Sequence, residues 1–412
     1  MSRAALADSL GQLYARVPLG MRLGLEAMQE ASAAFGHPER AFPVVHVAGT
    51  NGKGSVSAMV EAMARAAGMK TGLYTSPHLC RFAERIRLQG DPIDDASLTS
   101  LLADVLRRAP DLSFFETATL AAFEAFRAAK VDLAVIEVGI GGRLDATNIV
   151  PLPRAAGITR IALDHMDRLG PTLTDIAREK AGIAKPGLEI VLGPMTGPVR
   201  AAIDEVATAA GGKTVSIDDE GLRTELTAFV RGGSVPLRGA HQLENAKVAY
   251  LLGRRAGVSE NDCVRGVAGT RWAGRLESLA TPDGPVLLDA AHNPDGAEAL
   301  VRYLATSGWA PARTALVFGA LADKAWPSML DAVGPYAGRR FYVRPQGRAA
   351  ADPALLSARV PGEECATVAT ALARARSAVG SAGLVLVTGS IFLVGEARAE
   401  LLQLERDPAV AL

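Results

Sequence analysis

The chain has few cysteines, few aromatic residues and no excess of charge of either sign. Only three of its 412 residues are cysteine, and their wide spacing matches neither a disulfide framework nor a zinc-binding pattern. Lysine plus arginine equals aspartate plus glutamate at 44 each, which gives no support for a nucleic-acid or membrane-surface partner. No apolar run approaches the roughly twenty residues that cross a bilayer. We therefore expect free thiols, a cytoplasmic location, and neither nucleic acid nor membrane as a partner.

The rest of the composition is that of an ordinary globular chain. Apolar residues make up 49% and charged residues 21%, which is enough material for buried sheets. A chain of 412 residues exceeds one ordinary core, so two domains are expected. Residues 269–275 lack clear periodicity, which places the connection between the domains there. We predict domains at residues 1–272 and 275–412.

Strand patterns alternate with helical patterns along both halves of the chain. Residues 133–138 are nearly all apolar, as in a parallel strand covered on both faces. A further strand is predicted over residues 155–163, a helix over residues 116–129, and Thr172 with Asp175 is predicted to cap another helix. This alternation predicts an α/β fold with a doubly wound, mostly parallel sheet in the first domain.

A glycine-rich turn follows an apolar strand in the first domain. Residues 44–48 form the strand pattern, and residues 49–55 have the sequence GTNGKGS. Glycines allow backbone N–H groups to face a polyphosphate, Lys53 can reach the terminal phosphates, and Ser55 can hold magnesium at the start of the next helix. The turn predicts a P-loop-type domain that binds ATP, although its spacing differs from the common phosphate-loop pattern. The residues expected to contact ATP here are Asn51, Gly52, Lys53, Gly54 and Ser55.

The second half repeats the alternation of strands and helices from about residue 286 onward, without a phosphate loop of its own. Such a pattern predicts a smaller, Rossmann-like α/β domain. The nucleotide phosphates are therefore expected to bind to the first domain.

Single polar residues stand where predicted strands of the first domain end. Ser76 follows one such strand, Glu137 ends a second and His165 follows a third. Because the carboxyl ends of parallel strands share one edge of a sheet, these side chains should converge with Ser55. Hard oxygen donors with one imidazole suit magnesium or manganese rather than zinc.

Structural interpretations of the same residues are also open. Glu137 would be satisfied equally by backbone N–H groups of the turn at residues 139–142. A histidine at a strand end, such as His165, is often structural. By its chemistry alone, Lys180 is a surface lysine on an ordinary helix.

Several short motifs occur in an order that resembles one enzyme family. The matching segments are residues 46–55, 75–79, 84–86, 137–148, 163–180, 245–246, 274–275 and 289–294. They are similar to the ATP-dependent carboxylate–amine ligases of the Mur ligase superfamily, and most of all to bacterial folylpolyglutamate synthases, which are often also dihydrofolate synthases. The resemblance spans about residues 20–395.

The resemblance implies roles for individual residues. Lys180 matches a carbamylated lysine, and a carbamate would hold a second magnesium ion that a bare ammonium would repel. Asn245 matches an adenine-side contact, whereas without the resemblance it is a polar helix residue. The implied magnesium ligands are Ser55, Ser76, Glu137, His165 and Lys180. The implied catalytic residues are Lys53, His165, Lys180 and Arg275.

The second domain is implied to complete the ATP site. The residues that match are Arg275, Asp289 and His292. The structural alternative is that Asp289 or His292 caps the helix that begins at Pro294.

Two segments resemble those that bind dihydropteroate in the bifunctional bacterial enzymes. The first contains Ser113, Phe115 and Glu116, and the second contains Leu144, Asp145 and Ala146. Phe115 would stack on a pterin ring and Asp145 would hydrogen-bond its edge, and residues 23–26 would add to this pocket. The family's usual Tyr-Gly after the glutamate is Thr117-Ala118 here, and an aromatic pair at this place is otherwise core packing.

The implied activity is an ATP-dependent ligation. It joins L-glutamate to the carboxylate of dihydropteroate, or to a folylpolyglutamate derived from tetrahydrofolate, through an acyl phosphate. The expected cofactors are ATP as co-substrate, two magnesium ions and carbamylated Lys180, and the expected partners are small molecules acting on a monomer. The alternatives are folylpolyglutamate synthase activity alone, a Mur-type ligase of peptidoglycan precursors, or an ATP-driven switch module.

Overall fold

The computed structural model describes residues 3–17, 24–347 and 349–407. It divides into two compact units. The first comprises Met1–His78, Phe82–Pro236 and Gln242–Arg271, and the second comprises Leu79–Arg81, Leu237–His241 and Trp272–Leu412. Two short segments of the predicted first domain, at residues 79–81 and 237–241, therefore belong to the second unit, which a boundary at a single point of the chain does not anticipate. Leu23, which was assigned to the pterin pocket, lies outside the described residues.

An eight-stranded sheet forms the centre of the first unit. Its strands are β1 (Val44–Ala48), β2 (Thr71–Tyr74), β3 (Ile86–Leu88), β4 (Asp91–Pro92), β5 (Leu133–Glu137), β6 (Ala155–Ile158), β7 (Glu189–Leu192) and β8 (Lys213–Ser216). Their spatial order is β4-β3-β2-β5-β1-β6-β7-β8. The ladders from β2 to β8 are parallel, and β3 and β4 pair antiparallel at one edge.

Helices precede, connect or follow these strands. They are α1 (Arg3–Tyr14), α2 (Glu26–Ala34), α3 (Lys53–Ala66), α4 (Asp95–Arg108), α5 (Phe114–Ala129), α6 (Met166–Leu169), α7 (Leu173–Ala181), α8 (Gly197–Ala209), α9 (Arg223–Gly232), α10 (Ala240–Arg255) and α11 (Glu260–Ala268). One core cluster contains Ile158 of β6, Ile190 of β7, Ile176 of α7 and Ile203 of α8. Burial of these side chains ties the two helices to the sheet.

The second unit is built on a six-stranded sheet. Its strands are β9 (Glu277–Thr281), β10 (Gly284–Asp289), β11 (Thr314–Phe318), β12 (Arg339–Tyr342), β13 (Glu363–Glu364) and β14 (Leu384–Thr388), in the order β13-β12-β11-β14-β10-β9. Only β9 pairs antiparallel within it. Its helices are α12 (Pro294–Thr306), α13 (Trp326–Val333), α14 (Pro353–Arg359), α15 (Val368–Val379) and α16 (Ile391–Leu402).

Successive residues of the central strands in this unit belong to different cores. Leu287 of β10 belongs to one buried cluster, whereas Val286 and Leu288 belong to another. Since neighbouring side chains of a strand point to opposite faces, apolar residues cover both faces of the sheet. This explains the near-continuous apolar runs in the sequence of this unit.

The structure confirms the predicted α/β class with two largely parallel sheets. The predicted strand at residues 133–138 is β5, and all five of its residues are buried. The predicted cap of α7 is also present, because the Thr172 side chain accepts from the backbone of Asp175 and the Asp175 side chain accepts from the backbone of Thr172. No helix in the described part of the chain is long and apolar enough to span a bilayer.

Two element boundaries differ from the sequence prediction. Helix α5 begins at Phe114 rather than at residue 116, because Ser113 caps it. Strand β6 ends at Ile158, well before residue 163. The residues after β6 leave the sheet because their backbone and side chains bond to the glycine-rich turn, as described below.

Candidate functional site

Four strands of the first sheet carry candidate residues at their carboxyl ends. β2, β5, β1 and β6 are consecutive neighbours, and all are parallel. Ser76 follows β2, Glu137 ends β5, the glycine-rich turn follows β1, and His165 lies beyond β6. The strand order therefore gathers these residues at one edge, where ligands bind in open α/β sheets.

The glycine-rich turn is braced by the segment that follows β6. The backbone N–H groups of Thr50 and Asn51 donate to the carbonyl of Arg160 at 2.9 and 3.3 Å. The hydroxyl of Thr159 donates to the carbonyl of Asn51 at 2.7 Å. Since these two N–H groups are engaged, the donors oriented for phosphate come from Gly52 and the first turn of α3. That turn has no side-chain cap, so its N–H groups suit an anion.

Gly52 meets a steric demand as well as a conformational one. Its φ is 93°, in the left-handed region, and a Cβ atom there would lie 2.4 Å from Oδ1 of Asn245. The side chain of Asn245, on α10, therefore lies directly against the turn. Only glycine fits both the backbone conformation and the space.

Replacing Gly52 by alanine is expected to raise the KM for ATP, because the added methyl group displaces Asn245 or the turn itself. Gly68 offers a matched control, since it also has a positive φ, of 80°, but a Cβ atom there meets nothing within 4 Å. Both variants should lose about 1–2 kcal/mol from the left-handed conformation. Steady-state kinetics should show the ATP effect in Gly52→Ala alone, and equal effects in the two variants would contradict the steric role.

Lys53 and Ser55 lie at the start of α3. The ammonium of Lys53 donates to the carbonyls of Gly49 and Thr50 at 3.1 and 3.0 Å, which folds the side chain over the turn. The hydroxyl of Ser55 accepts from the side-chain amide of Gln242 at 3.3 Å. The positive charge and the hydroxyl thus flank the N–H groups that suit phosphate.

Gln242 is a site residue that the sequence analysis missed. It is buried, and its amide oxygen accepts from the side chain of Asn245 at 3.0 Å. One glutamine therefore connects the expected metal ligand Ser55 with Asn245. A usable signal was present in the sequence, because Gln242 precedes Asn245 by three residues and so shares its helix face.

Glu137 and Ser76 are neighbours in the structure. The Glu137 carboxylate accepts from the backbone N–H of Ser76 at 3.2 Å. The turn after β5 supplies its Ile140 N–H to Asp145 instead, at 2.9 Å. The Ile140 N–H therefore serves Asp145, and the alternative in which other N–H groups of residues 139–142 satisfy Glu137 stays a prediction.

The candidate metal ligands at this edge of the sheet combine hydroxyl, carboxylate and imidazole groups. Within residues 3–17, 24–347 and 349–407, no group of three or more His, Cys, Asp or Glu side chains is arranged to hold a metal ion. The candidates are instead the hydroxyls of Ser55 and Ser76, the carboxylate of Glu137 and the imidazole of His165. Such oxygen-rich sets fit magnesium, which keeps several waters and binds together with substrate phosphates.

Lys180 is not a surface lysine, so that interpretation was wrong. Its side chain, near the end of α7, is only 4% exposed. Burial, and after it the positive charge of Lys53, lower the pKa of Lys180 to about 7, while Asp164 and Asp145 act in the opposite direction. A large share of the amine is therefore uncharged near neutral pH.

The two candidate pterin segments lie side by side. The half-buried ring of Phe115 covers the backbone of Gly139, where a Cβ atom would lie 2.4 Å from the ring. The next residue, Ile140, donates its N–H to Asp145. The turn after β5 thus links the aromatic ring of one segment to the carboxylate of the other.

The polar residues of the first segment have a structural use. The backbone N–H of Ser113 donates to the Glu116 carboxylate at 2.8 Å, and the Glu116 N–H donates to the Ser113 hydroxyl at 3.4 Å. The hydroxyl of Thr117, at the place of the family's usual tyrosine, accepts from Arg16 at 3.1 Å. Ser113 and Glu116 thus close the start of α5, and their contact with a pterin stays a prediction, as does that of Leu144 and Ala146.

The candidates of the second unit cluster around the end of β10. The carboxylate of Asp289 accepts from the N–H groups of Leu276 and Ala291, both at 3.0 Å. Burial raises the pKa of Asp289, and the charge of Arg275 opposes this. His292 contacts the carbonyl of Ala290 through Nδ1 at 2.9 Å.

The start of α12 is capped by a different residue from those expected. The Asn293 side chain accepts from the N–H of Gly296 at 2.9 Å. The alternative in which Asp289 or His292 serves as the cap is therefore wrong. The roles of Arg275, Asp289 and His292 toward ATP stay predictions.

Comparison with known families gives two matches along the chain. The Mur ligase middle domain matches residues 47–253, and the Mur ligase glutamate ligase domain matches residues 274–391. The chain is 32% identical to the dihydrofolate synthase/folylpolyglutamate synthase of Bacillus subtilis, over 96% of its own length and 99% of that protein. It is 36% identical to the probable bifunctional folylpolyglutamate synthase/dihydropteroate synthase of Halobacterium salinarum, over 92% of its own length and 49% of that protein. The chain thus spans about half the length of this second relative.

Solved structures match over nearly the whole chain. The structure of Escherichia coli FolC in complex with DHPP and ADP superposes with a TM-score of 0.83 at 32% identity, covering 93% of this chain and 94% of that one. A bifunctional folylpolyglutamate synthase/dihydrofolate synthase with Mn, AMPPNP and L-glutamate bound has a TM-score of 0.83 at 30% identity, with coverages of 94% and 96%. Both matches extend across the two units.

Proposed function

Since the chain belongs to the Mur ligase family, in the group of dihydrofolate and folylpolyglutamate synthases, we propose that it is an ATP-dependent ligase that adds L-glutamate to a pterin-containing acid. The substrates are dihydropteroate, a reduced folate, or both. The observation that carries this proposal is the single sheet edge that holds Lys53, Glu137 and the contact between Phe115 and the turn of Asp145. Groups that suit phosphate and groups that suit a pterin ring thus lie along one edge of the sheet, so the carboxylate of a bound acid can be oriented toward the terminal phosphate.

The reaction has two steps. The substrate carboxylate attacks the terminal phosphorus of ATP, which gives an acyl phosphate and ADP. The amine of L-glutamate then attacks the acyl carbon, an amide bond forms, and phosphate leaves with the electron pair of the broken C–O bond. No protein nucleophile is needed, so the residues act by positioning and by electrostatics.

The chain supplies the charges and donors for the first step. The first-turn N–H groups of α3 and the ammonium of Lys53 bind and orient the phosphates. Ser55, Ser76, Glu137 and His165 would hold magnesium, which when bound supplies positive charge opposite the phosphate oxygens. Arg275 is expected to add a further positive charge.

Carbamylation of Lys180 is part of the proposal. An uncharged amine is the form that adds carbon dioxide, and the burial of Lys180 favours that form. The resulting carbamate is an anion and would hold a second magnesium ion near Lys53. A monomeric state and a cytoplasmic location stay predictions.

A product assay tests the proposed function against its alternatives. Enzyme, ATP, magnesium and glutamate are incubated with dihydropteroate or with tetrahydrofolate, and phosphate release and product mass are measured. The expected result is release that requires both glutamate and an acceptor, with a product one glutamyl residue heavier. Reaction with tetrahydrofolate alone would indicate folylpolyglutamate synthase activity only.

Two outcomes would contradict the proposal. Release that is indifferent to both co-substrates would favour an ATP-driven switch. Activity only with a nucleotide-linked muramyl acid would favour a Mur-type ligase of peptidoglycan precursors. The contact between Phe115 and the turn that holds Asp145 argues against the second outcome, because an aromatic face beside a carboxylate suits a flat heterocycle.

A further inference from the structure

A buried chain of hydrogen bonds runs from β1 to Asp145. Nε2 of His46, in the middle of β1, lies 2.8 Å from the hydroxyl of Thr147. The same hydroxyl lies 2.6 Å from Oδ1 of Asp145. The side chains of His46 and Thr147 are fully buried and that of Asp145 is 6% exposed.

The bonds of the Asp145 carboxylate determine which group donates and which accepts along this series of hydrogen bonds. Oδ1 of Asp145 also accepts from the N–H of Thr147 at 3.0 Å, and Oδ2 accepts from the N–H of Ile140 at 2.9 Å. Burial raises the pKa of Asp145, and these bonds oppose that rise. The Thr147 hydroxyl donates its single hydrogen to Oδ1 of Asp145, so it accepts from His46. The proton of the imidazole is therefore on Nε2.

The state of His46 agrees with this direction. Burial, and after it the charge of Lys185, lower the pKa of His46 to about 3, so the ring is neutral. Its Nδ1 atom is buried and has no hydrogen-bond partner in the described part of the chain. The other four residues of β1 are apolar, and a polar ring with an unpaired nitrogen costs free energy in such a strand. The hydrogen bond from Nε2 to the Thr147 hydroxyl is the polar contact that the imidazole ring makes in this apolar strand.

We propose that His46 and Thr147 are positioning residues that determine specificity for a heterocycle with an N–H donor at its edge, such as a pterin. They act by holding Asp145. Its Oδ1 atom accepts from the N–H and the hydroxyl of Thr147, and its Oδ2 atom, which accepts from Ile140, keeps one acceptor position for the ligand. Asp145 lies one hydrogen bond away from the turn that Phe115 covers, so ring and carboxylate are held by one frame. This inference rests on the proposed function and extends it to two residues that do not touch the ligand.

The test uses variants that keep shape and remove single bonds. Thr147→Val removes the hydroxyl, Thr147→Ser keeps it, and His46→Leu removes the donor to it. Loss of a hydrogen bond to a charged group corresponds to about 10- to 100-fold in affinity. We expect the Kd for dihydropteroate, measured by calorimetry, to rise by about that factor in Thr147→Val and His46→Leu and to recover in Thr147→Ser. The KM values for ATP and glutamate should stay unchanged.

Two further variants separate positioning from a general structural role. The combination of His46→Leu with Thr147→Val should be no worse than Thr147→Val alone, since both act through the same hydroxyl. Thr99→Val is the matched control, because Thr99 is a buried threonine of α4 whose hydroxyl donates within its own helix, to the carbonyl of Asp95. This variant should bind dihydropteroate normally.

The outcomes distinguish a failure of the proposed function from a failure of the positioning role alone. If the unaltered protein does not bind dihydropteroate, the proposed function fails and this inference fails with it. If it binds and Thr147→Val binds equally well, only the positioning role is overturned. A matching rise in the KM for ATP, or a Thr147→Ser variant that does not recover, would also overturn it. Should Thr147→Val not fold, His46→Leu and Thr147→Ser still carry the comparison.

Discussion

Replacing Lys180 by alanine is expected to lower turnover by about 10³-fold or more while the fold is retained. The reason is electrostatic. The carbamate proposed at this buried amine would be a ligand of the second magnesium ion, beside the ammonium of Lys53, whose charge affects Lys180. Alanine removes the anion and leaves the polyphosphate with less compensation in the reacting state. The measurement is steady-state turnover with saturating ATP, acceptor and glutamate.

Chemical rescue sharpens this prediction. A small carboxylate such as acetate, added to Lys180→Ala, is expected to restore part of the activity because it supplies an anion in the space left by the side chain. Independently, the unaltered protein equilibrated with ¹³C-labelled bicarbonate should show a carbamate NMR signal that is absent in the variant. The exposed Lys70 gives a matched control, and Lys70→Ala should keep full activity. Normal turnover in Lys180→Ala without added carboxylate would contradict the second-metal role.

Replacing Lys53 by methionine is expected to lower kcat by about 10²- to 10³-fold. Methionine keeps most of the length of the side chain and removes the charge. In the structure the ammonium is folded over the turn by bonds to the carbonyls of Gly49 and Thr50, so the backbone of the turn orients its charge. The charge should matter most when negative charge moves during phosphoryl transfer, so kcat should fall more than ATP affinity.

Single-turnover measurement of ADP formation separates the two effects for Lys53. Direct ATP binding to Lys53→Met, by calorimetry, is expected to weaken by a smaller factor than the chemical step. Lys70→Met serves as the control with the same change of side chain at an exposed place. If binding weakened as much as the chemical step, Lys53 would act on the bound ground state and the transition state alike.

Local patterns in the sequence determined much of the architecture. The glycine-rich turn between a buried strand and α3, the cap of α7 and the apolar strand β5 all depend on residues within a few positions of each other. Such signals are visible without knowledge of the fold because neighbouring residues make the contacts. The start of α5 was misplaced although its signal is also local, because the capping box of Ser113 and Glu116 was not recognised.

The site depended on contacts between distant parts of the chain. Gln242 contacts Ser55 across 187 residues, and His46 contacts Thr147 across 101 residues. Hydrophobic periodicity describes residues within one element, so it gives no signal for either contact. The burial of Lys180 and the bracing of the glycine-rich turn by Thr159 depend equally on which elements become neighbours.

The sequence by itself determined the fold class, the phosphate-binding turn and the family to which the motifs point. Only the tertiary structure decided which side chains of that family pattern are buried, paired or oriented. The physical reason is that a strand or a cap is stabilised by contacts close in sequence. The pKa values of Lys180, His46 and Asp145 depend instead on burial and on neighbouring charges. The strand order determines both, because it places residues that are remote in sequence around these side chains.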